Sequence, residues 1–124
     1  MQKFPLITCT ALIFLVLAVS GCLGQSPQSS KMDDFAKCLS DSGAAFYGAY
    51  WCQHCSNQKQ MFGESLEFVN YIECSLPNRA GQTRACMDAG IKGYPTWEFG
   101  DGSRMEGSLT LQQLSQKTGC ILES

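Results

Sequence analysis

The sequence predicts an α/β domain: a mixed four-stranded central sheet flanked by helices on both faces. Three observations carry this. The chain has 124 residues, enough for one domain but not two. Short apolar and aromatic runs alternate with segments of helical spacing, in the order α-β-α-β-α-β-β-α. A Gly-Asp-Gly turn at 100–102 joins the last two strands as a hairpin, which closes the sheet.

Met32, Phe35, Ala36 and Leu39 recur at helical spacing, with Asp33 and Asp34 early, where acidic side chains suit the helix dipole. Ser42-Gly43 stops that helix. Ala44 to Tyr50 (AAFYGAY) is apolar and aromatic and reads as a buried strand. Residues 52–62 contain no Gly or Pro and suit a helix. Phe68 to Cys74 (FVNYIEC) reads as a second strand, and Leu76-Pro77-Asn78 as a loop. Gln82 to Ala89 is helical and stops at Gly90. Pro95 opens a third strand, Thr96 to Phe99, paired through the hairpin with Ser103 to Glu106. Leu109, Leu111, Leu114 and Ile121 lie along a last helix that ends near Gly119.

Nine basic and eleven acidic residues give a net charge of −2, which excludes the basic footprint of a nucleic-acid binder. Apolar residues make up 44% of the chain and charged ones 16%, which excludes a disordered protein. Eight cysteines are many for a reducing compartment. The N-terminus agrees. Lys3 precedes an apolar run from Leu6 to Val19, followed by Val19-Ser20-Gly21-Cys22, the pattern of a secretory signal over residues 1–21. Val-Ser-Gly-Cys resembles the lipobox of lipoproteins, which implies lipidation of Cys22. An uncleaved anchor helix over Phe4 to Leu23 is the other reading. Either one tethers the domain to the membrane outside the cytoplasm, at the periplasmic or outer face. Residues 22–30 read as a polar linker, its eight flexible residues after Cys22 spanning roughly 15 Å, and residues 31–124 as the folded domain. Cys9 lies inside the signal.

Trp51-Cys52-Gln53-His54-Cys55 stands between the first strand and the following helix. Cys52 then occupies a helix N-terminus, where unpaired N–H groups and the macrodipole favour a thiolate. Cys55 lies one turn on, within reach of a disulfide. This arrangement points to thiol–disulfide exchange, with Cys52 as the attacked sulfur and Cys55 as the resolving one. His54, the one histidine, stands between them, where its dipole or charge favours the thiolate and makes the disulfide more oxidising. Potentials of such pairs run from about −270 to about −120 mV, roughly 7 kcal/mol. Against this stand two plainer readings: a solvated His54, and a Cys pair forming half of a zinc site. The second lacks a further closely spaced pair, because Cys38, Cys74, Cys86 and Cys120 are far apart. No metal is expected.

Tyr50-Trp51-Cys52-Gln53-His54-Cys55 after an apolar strand, with Gly93-Tyr94-Pro95-Thr96 some forty residues later, resembles the thioredoxin superfamily. The resemblance implies a thioredoxin-like fold, a cis Pro95 lying against the disulfide, and Tyr94 offering backbone hydrogen bonds to an incoming peptide beside Trp51. Phe46 to Cys55, Gln58-Lys59, Phe62-Gly63, Tyr71-Ile72-Glu73-Cys74, Gly93 to Trp97 and Gly107-Ser108-Leu109 are similar to the thioredoxin-like domain fused to vitamin K epoxide reductase homologues. That likeness spans about residues 35–120. It implies a disulfide-forming oxidant for secreted proteins, re-oxidised by a vitamin K epoxide reductase-like membrane protein that reduces a quinone. No cofactor beyond the redox-active disulfide is implied. Two departures stand out. Gln53 replaces the Pro common in that subfamily, and Phe46 occupies the place, six residues before Cys52, where many thioredoxins bury an acid. Glu73 and Glu98 are candidate substitutes by strand location, with solvated surface positions as the plainer reading.

In the fused subfamily the Cys of the Tyr-x-Glu-Cys strand pairs with one about twelve residues on. The resemblance therefore implies Cys74–Cys86 and leaves Cys38 and Cys120 to each other. In the chain-entropy view the long bridge is worth about 4 kcal/mol and the short one about 3. Both read as structural, with an electron relay at Cys74–Cys86 as the lesser reading. Phe46, Tyr47, Tyr50, Trp51 and Trp97 are candidates for a substrate surface, although strand alternation favours the core for Phe46 and Tyr47. Two other functions stay open: a membrane-tethered disulfide reductase or isomerase, and a redox-inactive peptide- or metal-binding module.

Overall fold

A computed structural model describes Gly24 and residues 26–124. The expected signal, with Cys9 inside it, and Cys22, the expected lipidation site, lie outside the described residues. The elements are α1 (Pro27–Asp41), β1 (Ala45–Gly48), α2 (Gln53–Phe62), β2 (Tyr71–Glu73), α3 (Arg84–Asp88), β3 (Thr96–Glu98), β4 (Arg104–Glu106) and α4 (Leu111–Thr118). Short 3-10 turns cover Gly63–Phe68 and Pro77–Arg79.

The sheet runs β2-β1-β3-β4. β1 pairs parallel with β2 and antiparallel with β3, and β3 pairs antiparallel with β4. This mixed, open, four-stranded sheet is the thioredoxin-like architecture. Alternation along β1 divides the core. Phe46 faces a cluster containing Phe35 and Leu39 of α1, Cys55 and Phe62 of α2, Trp97, and Leu114 of α4. Ala45 and Tyr47 face a second cluster with Cys74, Cys86 and Ile91, on the α3 side. Helices therefore cover both faces.

Several boundaries differ from the sequence reading. α1 begins at Pro27, inside the stretch read as linker, because the Ser26 side chain accepts the Ser29 N–H and Pro27 fits the first helical position. Asp33 is consequently no first-turn charge. It is buried and accepts a 2.6 Å hydrogen bond from the Ser65 hydroxyl. The strand read from Phe68 starts only at Tyr71, since the 3-10 turn carries the chain through Phe68. The last helix excludes Leu109 and Ile121. Thr110 caps its start in a reciprocal box with Gln113, Gly119 ends it with φ 77°, and Ile121 is 77% exposed.

Candidate dithiol site

Strand β1 ends at Gly48, and the turn after it delivers Cys52 to the N-cap of α2. The Cys52 backbone is extended (φ −83°, ψ 118°) and its sulfur accepts the Cys55 N–H at 3.3 Å. Cys52 thus takes the place that Ser or Asp takes in other helices and satisfies an orphan donor. A sulfur held by that N–H at the positive end of a ten-residue helix is placed to carry negative charge. Cys52 is half-buried and Cys55 fully buried, and both are free thiols. The Cys55 thiol is pushed up to about 12, first by burial and then by its hydrogen bond with Cys52.

The Tyr94–Pro95 peptide bond is cis, and the Tyr94 carbonyl lies 3.7 Å from Cys52 Sγ. Pro95 is buried, and Tyr94 is half-exposed, its hydroxyl accepting from Gln82 Nε2 at 2.8 Å. Trp51, 41% exposed, packs edge-on against Tyr94 with centroids 6.0 Å apart and donates from Nε1 to Ser75 Oγ at 2.8 Å. The Arg79 guanidinium lies over the Trp51 ring, 4.8 Å from its centroid, and the Arg79 N–H donates to the Tyr50 hydroxyl at 3.1 Å. Cys52, Trp51, Tyr50 and Tyr94 therefore share one partly exposed surface. A cavity of about 560 Å³ lined by Gln28, Met32, Leu111 and Leu122 shares no residue with it.

The other candidates divide between the surface beside the pair, the core and the two expected disulfides. His54 is exposed on the first turn of α2, and its carbonyl accepts from the Ser108 hydroxyl. Trp97 cannot line a substrate surface: it is fully buried, stacked on Phe46 at 5.0 Å, with Nε1 donating to Gln58 Oε1. Phe46 and Tyr47 are core, on opposite faces. Glu98 pairs with Arg104 across the β3–β4 edge. Cys38 bonds Cys120, and Cys74 bonds Cys86.

Glu73 is not a plain surface carboxylate. It accepts from the Tyr71 hydroxyl (2.7 Å) and from the Tyr50 and Ser75 N–H groups (3.2 and 2.9 Å). Tyr71, Lys59 over the Tyr71 ring, and Gln58, buried on α2, shape the site; the sequence reading quoted them in the family likeness but gave them no role. Tyr71 and Glu73 stand two apart on a strand, so they share a face, which was the available signal.

No family model matches the chain. The chain is 42% identical over 92 residues to the thiol-disulfide oxidoreductase LTO1 of Arabidopsis thaliana, an alignment covering 71% of this chain and 24% of the plant protein. It thus spans about a quarter of the length of that curated relative. The likeness supports a thiol–disulfide oxidoreductase class.

Proposed function

We propose that the chain is an extracytoplasmic thiol–disulfide oxidoreductase that forms disulfides in secreted proteins, held at the membrane through Cys22. A vitamin K epoxide reductase-like membrane protein re-oxidises it. The observation that carries the dithiol chemistry is the asymmetry of the pair: Cys52 half-buried at a helix N-terminus, Cys55 fully buried behind it. The tether and the compartment rest on Val19-Ser20-Gly21-Cys22 and the apolar run before it.

In the oxidised chain, a client thiolate attacks Cys52 Sγ. The Cys52–Cys55 bond breaks, and Cys55 leaves with the electron pair and is protonated. The client's second thiolate attacks the client sulfur of the mixed disulfide, and Cys52 leaves as the thiolate that the helix terminus favours. The client loses two electrons and the pair gains them. Trp51 and Tyr50, exposed beside Cys52, suit a polypeptide client better than a small molecule, which a deep pocket would hold.

The test is a redox titration of the full chain in glutathione buffers, followed by incubation of the oxidised chain with a reduced secreted protein. The expected result is a potential well above that of cytosolic thioredoxin and disulfide formation in the client. A potential near about −270 mV would overturn the oxidant role in favour of a reductase. Thiol exchange that survives Cys52→Ser would overturn the class. Tight stoichiometric metal in the reduced chain would assign a binding module instead.

A further inference from the structure

The surface beside Cys52 carries a cation that the fold holds in place without a carboxylate partner. Arg79 lies in the loop closed by Cys74–Cys86. Its guanidinium rests over the Trp51 ring, 4.8 Å from the centroid. Trp51 immediately precedes Cys52. Its ring is fixed by the bond from Nε1 to Ser75 Oγ and by edge contact with Tyr94. The Tyr94 carbonyl in turn lies 3.7 Å from Cys52 Sγ. One aromatic residue, Trp51, therefore links the guanidinium to the reacting end of the pair.

Among the described residues Lys31, Arg84, Arg104 and Lys117 each pair with a carboxylate, and Arg79 pairs with none. Glu73, the carboxylate bonded to the Tyr50 N–H, already accepts from three donors. Arg79 is exposed. Its backbone stands at φ 54°, after Asn78 at φ 57°, in the left-handed region that side chains rarely adopt. The bond from the Arg79 N–H to the Tyr50 hydroxyl ties that turn to the site. A guanidinium on an aromatic face keeps its edge N–H donors for a carboxylate. Because the ring already restricts it, little side-chain freedom remains to be lost on binding.

We propose that Arg79 is a specificity-determining residue of the dithiol site. It favours polypeptide clients that carry Asp or Glu within about three residues of the attacking cysteine, since an extended chain advances about 3.3 Å per residue. Such a client lies across Tyr50 and Trp51, 53% and 41% exposed, and its carboxylate meets Arg79. A client with Lys or Arg at that place meets like charge. This rests on the dithiol reading proposed above. Arg79 adds no bond to the exchange step given there; it acts on the encounter and on the docked client.

The test uses the oxidised full chain and three dithiol peptides that differ only two residues before the first cysteine, where they carry Asp, Ser or Lys. The peptide thiols are oxidised to a disulfide as Cys52–Cys55 is reduced, and acid quenching with mass spectrometry follows both. Each rate is divided by that peptide's rate with neutral bis(2-hydroxyethyl) disulfide, which removes the effect of the flanking charge on the peptide's own thiol. The expected order is Asp, then Ser, then Lys, with roughly a tenfold span at low salt. The span narrows to under about threefold in about 0.5 M salt. Arg79→Gln flattens the order, Arg79→Glu reverses it, and Arg79→Lys keeps it in part. A flat order in the wild-type chain, an order that survives Arg79→Gln, or equal slowing of all three peptides in both variants overturns the specificity role and leaves the dithiol reading intact. An oxidised chain that exchanges with none of the peptides overturns the dithiol reading, and the inference with it.

Discussion

Replacing Gln58 with leucine tests what holds the dithiol helix in place. Gln58 lies on α2, six residues after Cys52, and is fully buried. Its Oε1 accepts from the Leu109 N–H at 2.7 Å and from Trp97 Nε1 at 3.2 Å, and its Nε2 donates to the Leu109 carbonyl at 3.0 Å. One side chain thus ties α2 to β3 and to the strap before α4. Leucine fills a similar volume without polar atoms, so Leu109 loses a donor and an acceptor partner and Trp97 loses an acceptor. Each unsatisfied buried group costs about 1–3 kcal/mol, roughly 6 kcal/mol for the three. Burying an aliphatic side chain in place of the amide offsets roughly 2 kcal/mol. The net expectation is a loss of about 4 kcal/mol. With a urea slope of about 2 kcal/mol/M, the unfolding midpoint falls by about 2 M. The folded variant keeps its reaction at Cys52, because none of the three bonds reaches a cysteine. A loss under about 1 kcal/mol would show that these bonds do not hold the helix, and the reasoning would fail.

Three further outcomes are expected. Cys38→Ser with Cys120→Ser opens a loop whose ends are 82 residues apart and lowers urea stability by about 4.5 kcal/mol in the chain-entropy view, with thiol exchange retained; a loss under about 1 kcal/mol contradicts it. Gly48→Ala puts a methyl 2.9 Å from Tyr71 and 3.1 Å from Cys55, costs about 1–3 kcal/mol, and slows resolution by Cys55 more than the Cys52 step; equal rates contradict the crowding. The folded Cys55 thiol lies at about 12 against an ordinary 9.0, so its contribution to the reduced state is full below pH 9.0 and is lost as pH rises toward 12. The urea midpoint of the reduced chain should therefore fall relative to the oxidised chain above pH 9.0, and a rise there would reverse the assigned sign.

The dithiol and the strand that delivers it were legible because their signals are local: an apolar run, a Cys at a helix start, a second Cys one turn on. The hairpin was legible for the same reason. Asp101 accepts the Ser103 N–H and hydroxyl within the turn itself, and these bonds hold its carboxyl down at about 2. What was not legible depends on contacts distant in sequence. Gln58 has no role in the sequence beyond its place in the likeness until Leu109 and Trp97 converge on it from more than thirty positions away. Trp97 reads as a candidate binding aromatic until Phe46 stacks on it. Phe68 reads as strand, since an apolar run does not separate strand from helix. The Ser40 hydroxyl, donating to the Phe68 carbonyl at 2.5 Å, ties the turned form to α1. Glu73 illustrates both sides: its strand position was visible, but its three donors come from Tyr50, Tyr71 and Ser75, and only the fold brings the first of them near.

The segment closed by Cys74–Cys86 links stability to the site. Ser75 holds Trp51, Arg79 holds Tyr50 and covers Trp51, and Gln82 holds Tyr94. These three aromatics share the partly exposed surface around Cys52. Asn78 and Arg79 sit at φ 57° and 54°, left-handed backbone that costs non-glycine residues on the order of 1 kcal/mol each. The disulfide, closing only twelve residues, removes much of the freedom with which that loop would escape the strain. The hydrogen bonds to Tyr50 and Trp51 offset the remainder. Cys52 is thereby fixed from behind by the helix N–H and from in front by a stapled loop, yet it stays partly exposed. A sulfur held this way reaches the in-line geometry of disulfide exchange without first ordering its surroundings, which is where a preformed site lowers a barrier.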